Sequence, residues 1–384
     1  MGQHHADGDE DVTTMIDYLQ SKRSWEILDA PIPYLRKKIA KKKRPLIFYA
    51  GLSILGVSYV LQTVYRLDES DALVVERKMW HPQAKVIQPI TLAIVVFITS
   101  SGTWTVPAGW NNNCNLVECV GDGGSGGVAH GNNSANTRAT GGGGGAYSKK
   151  QNVPLTPGAS VNVNVGTGGA AVSANSASTN VNGNPGTATW FNGTSLSSAS
   201  CSADFGRGGG SSRTGTDPTS AAGGLFSNSI GDSGHNGGSS GTNTSPSGAS
   251  ATGGGGAGGP NADGGASGNA TVNGNTSSGG TSDGNIPGGA SSGGDGTNGQ
   301  PGNSGTQWTS NPGSVTLGTG SGGGAARVGT SSPGVNAGDG GSYGGGGGGC
   351  VYFPSTAASA VSGAGAPGLI VITYTPTKVV GYIF

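Results

Sequence analysis

Residues 115–127 read NLVECVGDGGSGG, and the character of the chain changes within them. Asn115 to Val120 alternates, with Leu116, Glu118 and Val120 set against Val117 and Cys119, which is the period of a β-strand. From Gly121 onward the sequence is dominated by Gly, Ser, Asn, Thr and Ala, with glycine runs at Gly141–Gly145 and Gly344–Gly349. Such a sequence cannot assemble an ordinary apolar core. Its expected job is to display a surface rather than to enclose an active site.

Working outward from this stretch, other short islands carry β signals. Before it lie Pro89–Ile98, with the β-branched run ITLAIVVFI, and Thr103–Val106, followed by the turn Pro107-Ala108-Gly109. After it come Ser160–Val165, Thr187–Phe191, Thr316–Leu317 and the closing Leu369–Tyr374. Long glycine-rich insertions separate these islands, so a small β core is expected to be completed by both ends of the domain. For the insertions, the physical option besides disorder is a bundle of left-handed extended helices with three residues per turn. Such helices form no internal hydrogen bonds and are stable only if neighbours supply them. Patches such as Gly253–Gly256, Gly279-Gly280, Gly288-Gly289, Gly293-Gly294 and Gly322–Gly324 would form the interior, with Asn, Ser and Thr facing outward.

Composition narrows the function. Of 20 Lys and Arg, 13 fall in the first 120 residues, as do 12 of 20 Asp and Glu, so the later region carries a net charge near −1. Nothing there attracts nucleic acid. The eight acidic groups after residue 120 are all Asp and widely separated, which argues against a paired-carboxylate glycosidase. Gly206-Arg207-Gly208-Gly209-Gly210 lacks the lysine and following helix of a phosphate loop. The four cysteines, at 114, 119, 201 and 350, are too scattered for a disulfide scaffold or a zinc site and read as buried thiols. No catalysis, cofactor or metal is expected.

The first 90 residues differ in kind. Residues 12–44 carry an approximate helical pattern, including Trp25, until Pro31 and Pro33 interrupt it, and a basic cluster, Arg36–Arg44, follows. Leu46–Tyr65, LIFYAGLSILGVSYVLQTVY, has twenty residues without a charge. That length suits a membrane span, and its Tyr, Val and Ile content suits strands or a docked partner interface. The start shows no secretory signal pattern.

Five segments in order resemble the glycine-rich domain of bacteriophage tail fibre and receptor-binding proteins: TSSGTWTVPAGW (Thr99–Trp110), LVECVGDGGSGG (Leu116–Gly127), GGGGGAYSKK (Gly141–Lys150), LTPGASVNVNVGTGG (Leu155–Gly169) and GAGAPGLIVITY (Gly363–Tyr374). The resemblance covers residues 96–376. It implies a mainly β fold, a small β-sandwich-like base carrying glycine-rich loops or polyglycine II-type helices; the first 90 residues lie outside the resemblance, and their own pattern reads as a partly helical N-terminal anchor. The expected organisation is 1–90 anchor or assembly segment, 91–376 glycine-rich β domain and 377–384 C-terminal extension. Asn115 and Cys119 depart from a regularly apolar strand.

By the same resemblance the expected function is a non-enzymatic tail fibre-like adhesin on a virion, a homotrimer binding a host surface glycan or protein. The alternatives are a structural or decoration protein of the virion head or tail and a membrane-anchored surface protein using 46–65. Residues 1–90 would contact a virion tail or capsid protein, through Trp25, Leu46, Phe48, Tyr49 and Tyr59. Among Trp190, Phe191, Phe226, Trp308, Tyr343, Tyr352 and Phe353, the candidate receptor contacts are Phe226, Tyr343 and Trp308, aromatic faces suited to stacking on a ligand. Trp190 and Tyr352 sit in strand-like contexts and read as core.

Overall fold

The computed structural model describes residues 46–54, 57–67, 73–80, 93–131, 136–175, 179–245, 248–272, 274–292, 297–328, 334–353 and 359–376. The chain divides into two units, Met1–Ile90 with Val380–Phe384, and Thr91–Val379. It is mainly β, with 29% of residues in strands and 1% helical.

In the first unit, Leu46–Ile54, Val57–Leu67 and Leu73–Trp80 form a three-stranded antiparallel sheet in sequence order. The uncharged stretch from Leu46 is therefore a pair of strands, with Leu46 opposite Tyr65, Phe48 opposite Thr63, Tyr49 opposite Gln62 and Tyr59 opposite Leu52. Among the described residues no helix is long and apolar enough to cross a membrane. Trp25 and the helical pattern of 12–44 lie outside the described residues.

The second unit begins and ends in a β-sandwich. One sheet has five strands in the order Ser233–His235, Tyr147–Gln151, Asn115–Val120, Leu369–Tyr374, Ile94–Ile98; the other has four, Cys201–Ala203, Thr189–Phe191, Ser160–Asn164, Gly102–Thr105. Alternation decides the packing. Val117, Cys119, Ile370 and Ile372 join Phe191, Val161, Val163 and Cys201 in the core between the sheets. The opposite face of the five-stranded sheet is buried as well: Val120, Tyr147, Leu369 and Val371 pack with Trp308 and Ala257. Asn115, unexpected in a strand, clamps the sheet end by donating to Asn111 O and Val153 O and accepting from Val153 N.

From the sandwich, glycine-rich segments run out and back to a second set of small sheets. Gly121–Gly127 leads from Val120 to the strand Val128–His130, and Thr140–Ala146 returns from Arg138–Ala139 to Tyr147. At about 3.1 Å per residue, seven residues span about 22 Å. The far sheets include Thr179–Val181, Val128–His130, Cys350–Tyr352 and Ala326–Val328, over a core of Val128, Val328, Val335 and Tyr352.

The segments between form a hydrogen-bonded lattice with a period of three. Gly121, Gly124 and Gly127 donate to Ala146, Gly143 and Thr140, while Gly123 and Gly126 donate to Ala366 and Gly363. Every third residue thus addresses the same neighbour, as a three-fold extended helix requires. Segment 140–146 lies at the centre. It donates to 344–347, 204–210 and Gly238, and accepts from 121–127, 255–258 and Gly224, which makes six neighbours. At its glycines nothing larger than hydrogen fits. A Cβ on Gly142, Gly143 or Gly144 would stand 2.1 Å from the carbonyl oxygen of Gly124, Ala222 or Gly256.

The outward placement expected for Ser and Thr is corrected. Ser125, Thr140, Ser240, Thr252, Ser267 and Ser277 are buried. Their hydroxyls accept from backbone donors: Asn184 N to Ser125 Oγ, Ala221 N to Ser240 Oγ, Gly241 N to Ser267 Oγ and Gly253 N to Ser277 Oγ. A hydroxyl supplies an acceptor within the lattice, so small polar residues belong inside it.

Candidate functional site

The first and last strands of the second unit are hydrogen-bonded neighbours, Ile98 opposite Ile370 and Ile94 opposite Tyr374. The chain therefore joins and leaves this unit at the sandwich, and the far end of the lattice is free of both connections. At that end lies a groove of about 510 Å³, lined by Asn182, Gly183, Pro185, Gly208–Ser212 and Thr216–Thr219.

Its walls follow from local sequence. Ser211-Ser212 pairs antiparallel with Arg138-Ala139, which pairs on its other side with Ser250-Ala251. The chain then turns through Gly215, whose φ of +81° favours glycine. Arg138 fixes this turn from beneath. Its side chain, 5% exposed, donates from Nη1 to Gly215 O at 2.8 Å and pairs with Asp217 Oδ1. The Asp217 side chain remains 55% exposed. Thr140 Oγ1 donates to Thr219 O at 2.9 Å and accepts from Gly210 N at 2.8 Å, tying the two walls together. On the other side Asn182 Oδ1 accepts from Ser211 N and Ser211 Oγ at 3.0 and 3.1 Å. The groove thus offers hydroxyls, carbonyls, two prolines and one carboxylate on a backbone held by the lattice.

The three aromatic candidates lie at the sandwich end instead. Trp308, 9% exposed, is corrected from a receptor contact to an interior residue: its Nε1 donates to Glu118 Oε2 at 3.0 Å and its ring stacks on Tyr147, 6.4 Å between centroids. The Tyr147 hydroxyl donates to Glu118 Oε1 at 2.5 Å. Burial raises the Glu118 pKa, partly offset by these two donors, and burial also pushes the Tyr147 phenol up. Tyr343 is half-buried against the same cluster, and its backbone N–H donates to Gly318 O. Phe226 is half-buried in the short 3₁₀ turn Phe226–Asn228, its backbone N–H donating to Asn236 Oδ1 at 2.8 Å. Beside it Leu225 is 44% exposed. Asp204 organises this edge, accepting from Leu225 N, Asn228 Nδ2 and the Arg207 guanidinium, which lies 4.0 Å from the centroid of the Phe205 ring. Tyr352, Phe191 and Phe353 are buried, and Trp190 is half-buried.

One further carboxyl group is enclosed. Asp122, fully buried, accepts at Oδ2 from Gly168 N (2.6 Å) and Thr187 N (2.8 Å), while Oδ1 has no partner among the described residues. Burial pushes its pKa up to about 6, against the lowering effect of those hydrogen bonds. Among the described residues no group of three His, Cys, Asp or Glu could hold a metal ion. Cys119, Cys201 and Cys350 are buried and Cys114 is exposed.

Sequence reasoning missed Arg138, Asp217 and the groove. The signal available was a concentration of charge among the glycine runs, Arg207, Arg213 and Asp217, with Pro218 beside it. Comparison with curated proteins finds no match. The pattern of sandwich strands separated by glycine segments matches the glycine-rich domain family over residues 98–375, about three quarters of the chain, and the protein belongs to that family.

Proposed function

We propose that the protein is a non-enzymatic adhesin of the tail fibre type, carried on a virion and binding a host surface glycan or protein. The observation that supports this reading is the placement of a polar groove at the end of the lattice remote from the incoming and outgoing strands. A rigid glycine lattice holds that end about 22 Å from the sandwich, and contacts made there lose little conformational entropy on binding. Residues 1–90 serve as the attachment to a virion tail or capsid protein. Assembly as a homotrimer presents several grooves at once, so weak single contacts combine into firm attachment.

Immunogold electron microscopy of the native source, with antibodies to residues 120–384, tests the reading. Label at tail tips or fibres is the expected result. Label spread over a capsid moves the assignment to shell decoration, and label on a cell envelope to membrane-anchored display. The mass of the cross-linked full chain in solution tests the trimer.

A further inference from the structure

We propose that the groove at the free end binds a neutral saccharide, with Asp217 accepting a pair of adjacent sugar hydroxyls. This rests on the reading of the protein as an attachment protein, to which it adds a ligand class and the residues that select it.

Size comes first. About 510 Å³ falls within the roughly 300–1,000 Å³ of small-ligand sites and suits one or two sugar rings. The chemistry of the acceptor comes next. Asp217 Oδ1 is held by Arg138, a buried side chain itself anchored on Gly215 O, so the carboxylate is fixed while more than half exposed. Among the described residues no donor reaches its Oδ2. An ionised acceptor already locked in place forms stronger hydrogen bonds to hydroxyls than a neutral one and loses no rotamer freedom on binding.

Charge narrows the ligand further. No Lys or Arg is among the residues that line the groove: Arg138 is committed to Asp217 and Gly215, Arg207 to Asp204, and Arg213 adjoins the lining residue Ser212. An anionic sugar or phosphate would meet the Asp217 carboxylate with no cation in the lining itself, whereas a neutral polyol meets only donors and acceptors. Thr216 and Thr219 are exposed beside Asp217 and carry hydroxyls that both donate and accept. The exposed Pro185 offers an apolar face to the carbon skeleton of a ring.

Ligand-observed saturation-transfer NMR on the full chain, with the methyl glycosides of glucose, galactose and mannose as probes, tests this. The expected result is transfer to at least one glycoside, weakened tenfold or more in Asp217→Asn. Because that change removes the partner of a buried guanidinium, Thr219→Tyr is the second variant. Its ring starts from an exposed position and fills the groove, so transfer is lost with the melting temperature unchanged. No transfer to any probe, or transfer undiminished in a folded Thr219→Tyr, overturns the proposal. Attachment of the full chain to cells of its host, measured in parallel, separates the two readings. Attachment without transfer sinks the saccharide groove alone, and transfer without attachment leaves the groove standing and sinks the adhesin reading.

Discussion

Replacing Gly143 by alanine puts the lattice to its hardest test. Gly143 sits in the central segment, where an added Cβ would lie 2.1 Å from Ala222 O and 2.9 Å from Gly223 N. Contacts of a real Cβ essentially never fall under 3.0 Å, so the neighbouring segment must retreat by about 0.9 Å. The bonds that hold the retreating segment at this contact are Gly224 N to Gly144 O at 2.8 Å and Arg207 N to Ala222 O at 3.0 Å. A retreat of that size stretches such bonds beyond useful length. Each buried group left unsatisfied costs about 1–3 kcal/mol, and the overpacking itself a further 1–3 kcal/mol or so. The expected loss is therefore about 3–9 kcal/mol, a large part of the roughly 5–15 kcal/mol that stabilises a domain. Ala222→Ser is the matched control: Ala222 belongs to the segment on the other side of the same contact, yet it is exposed, so its effect should stay within about 0.5 kcal/mol. Denaturant unfolding of the full chain reads both. A loss below about 1 kcal/mol in Gly143→Ala would refute the claim that the interior admits only hydrogen at this position.

Four other expectations follow from the buried groups and exposed edges. Asp122 is protonated more readily folded than unfolded, so its contribution to stability is present below pH 3.8 and lost as pH rises through about 6; the loss amounts to about 3 kcal/mol, and Asp122→Asn should flatten unfolding free energy against pH over that window. Trp308→Phe keeps the ring but strips Glu118 Oε2 of its donor, and should cost about 1–3 kcal/mol in the same unfolding assay. Native protein should react with one equivalent of a thiol reagent, at Cys114, and with four once denatured, since the other three thiols are enclosed and burial pushes that of Cys350 up to about 12. Leu225→Ser with Phe226→Ala alters an edge at the sandwich end, and host attachment should persist if the free end makes the contact; loss of attachment with an unchanged melting temperature would return the receptor site to that edge.

The strands were legible because their alternation is local. Asn115–Val120, Thr316–Leu317 and Leu369–Tyr374 occur with the expected limits, and the island at 160–165 ends one residue early at Asn164. The extended-helix option was legible in principle, since a glycine-rich chain that folds has little else to satisfy its backbone. Which run lies beside which was not. Glycine carries no side chain to identify its neighbour, and 121–127 would read the same beside 253–258 as beside 140–146. The aromatic candidates misled for a related reason. In a region with few apolar side chains, a tryptophan is needed inside, and Trp308 finds its partner in Glu118, 190 residues away. The groove depends on another long-range pair, Arg138 with Asp217, separated by 79 residues of mostly featureless sequence.

The lattice also separates the residues that hold the fold from those that line its surface. Within it, each residue's environment is set by backbone atoms of neighbouring segments, so the interior is nearly blind to sequence beyond the demand for glycine and small hydroxyl residues. Identity is confined to the links where segments turn. Ser211 to Pro218 is one such link, joining the outgoing segment 204–210 to the returning segment 219–224, and it supplies Ser211, Ser212, Thr216, Asp217 and Pro218 to the groove. Arg138 bonds this link at Gly215 and Asp217 and reaches none of the lattice carbonyls. A change of link residues therefore leaves the hydrogen bonds of 204–210 and 219–224 intact, whereas a side chain at any of Gly141–Gly145 would meet backbone atoms of a neighbouring segment. The lattice and the groove are thus built from different residues, the separation that the proposed attachment role would use.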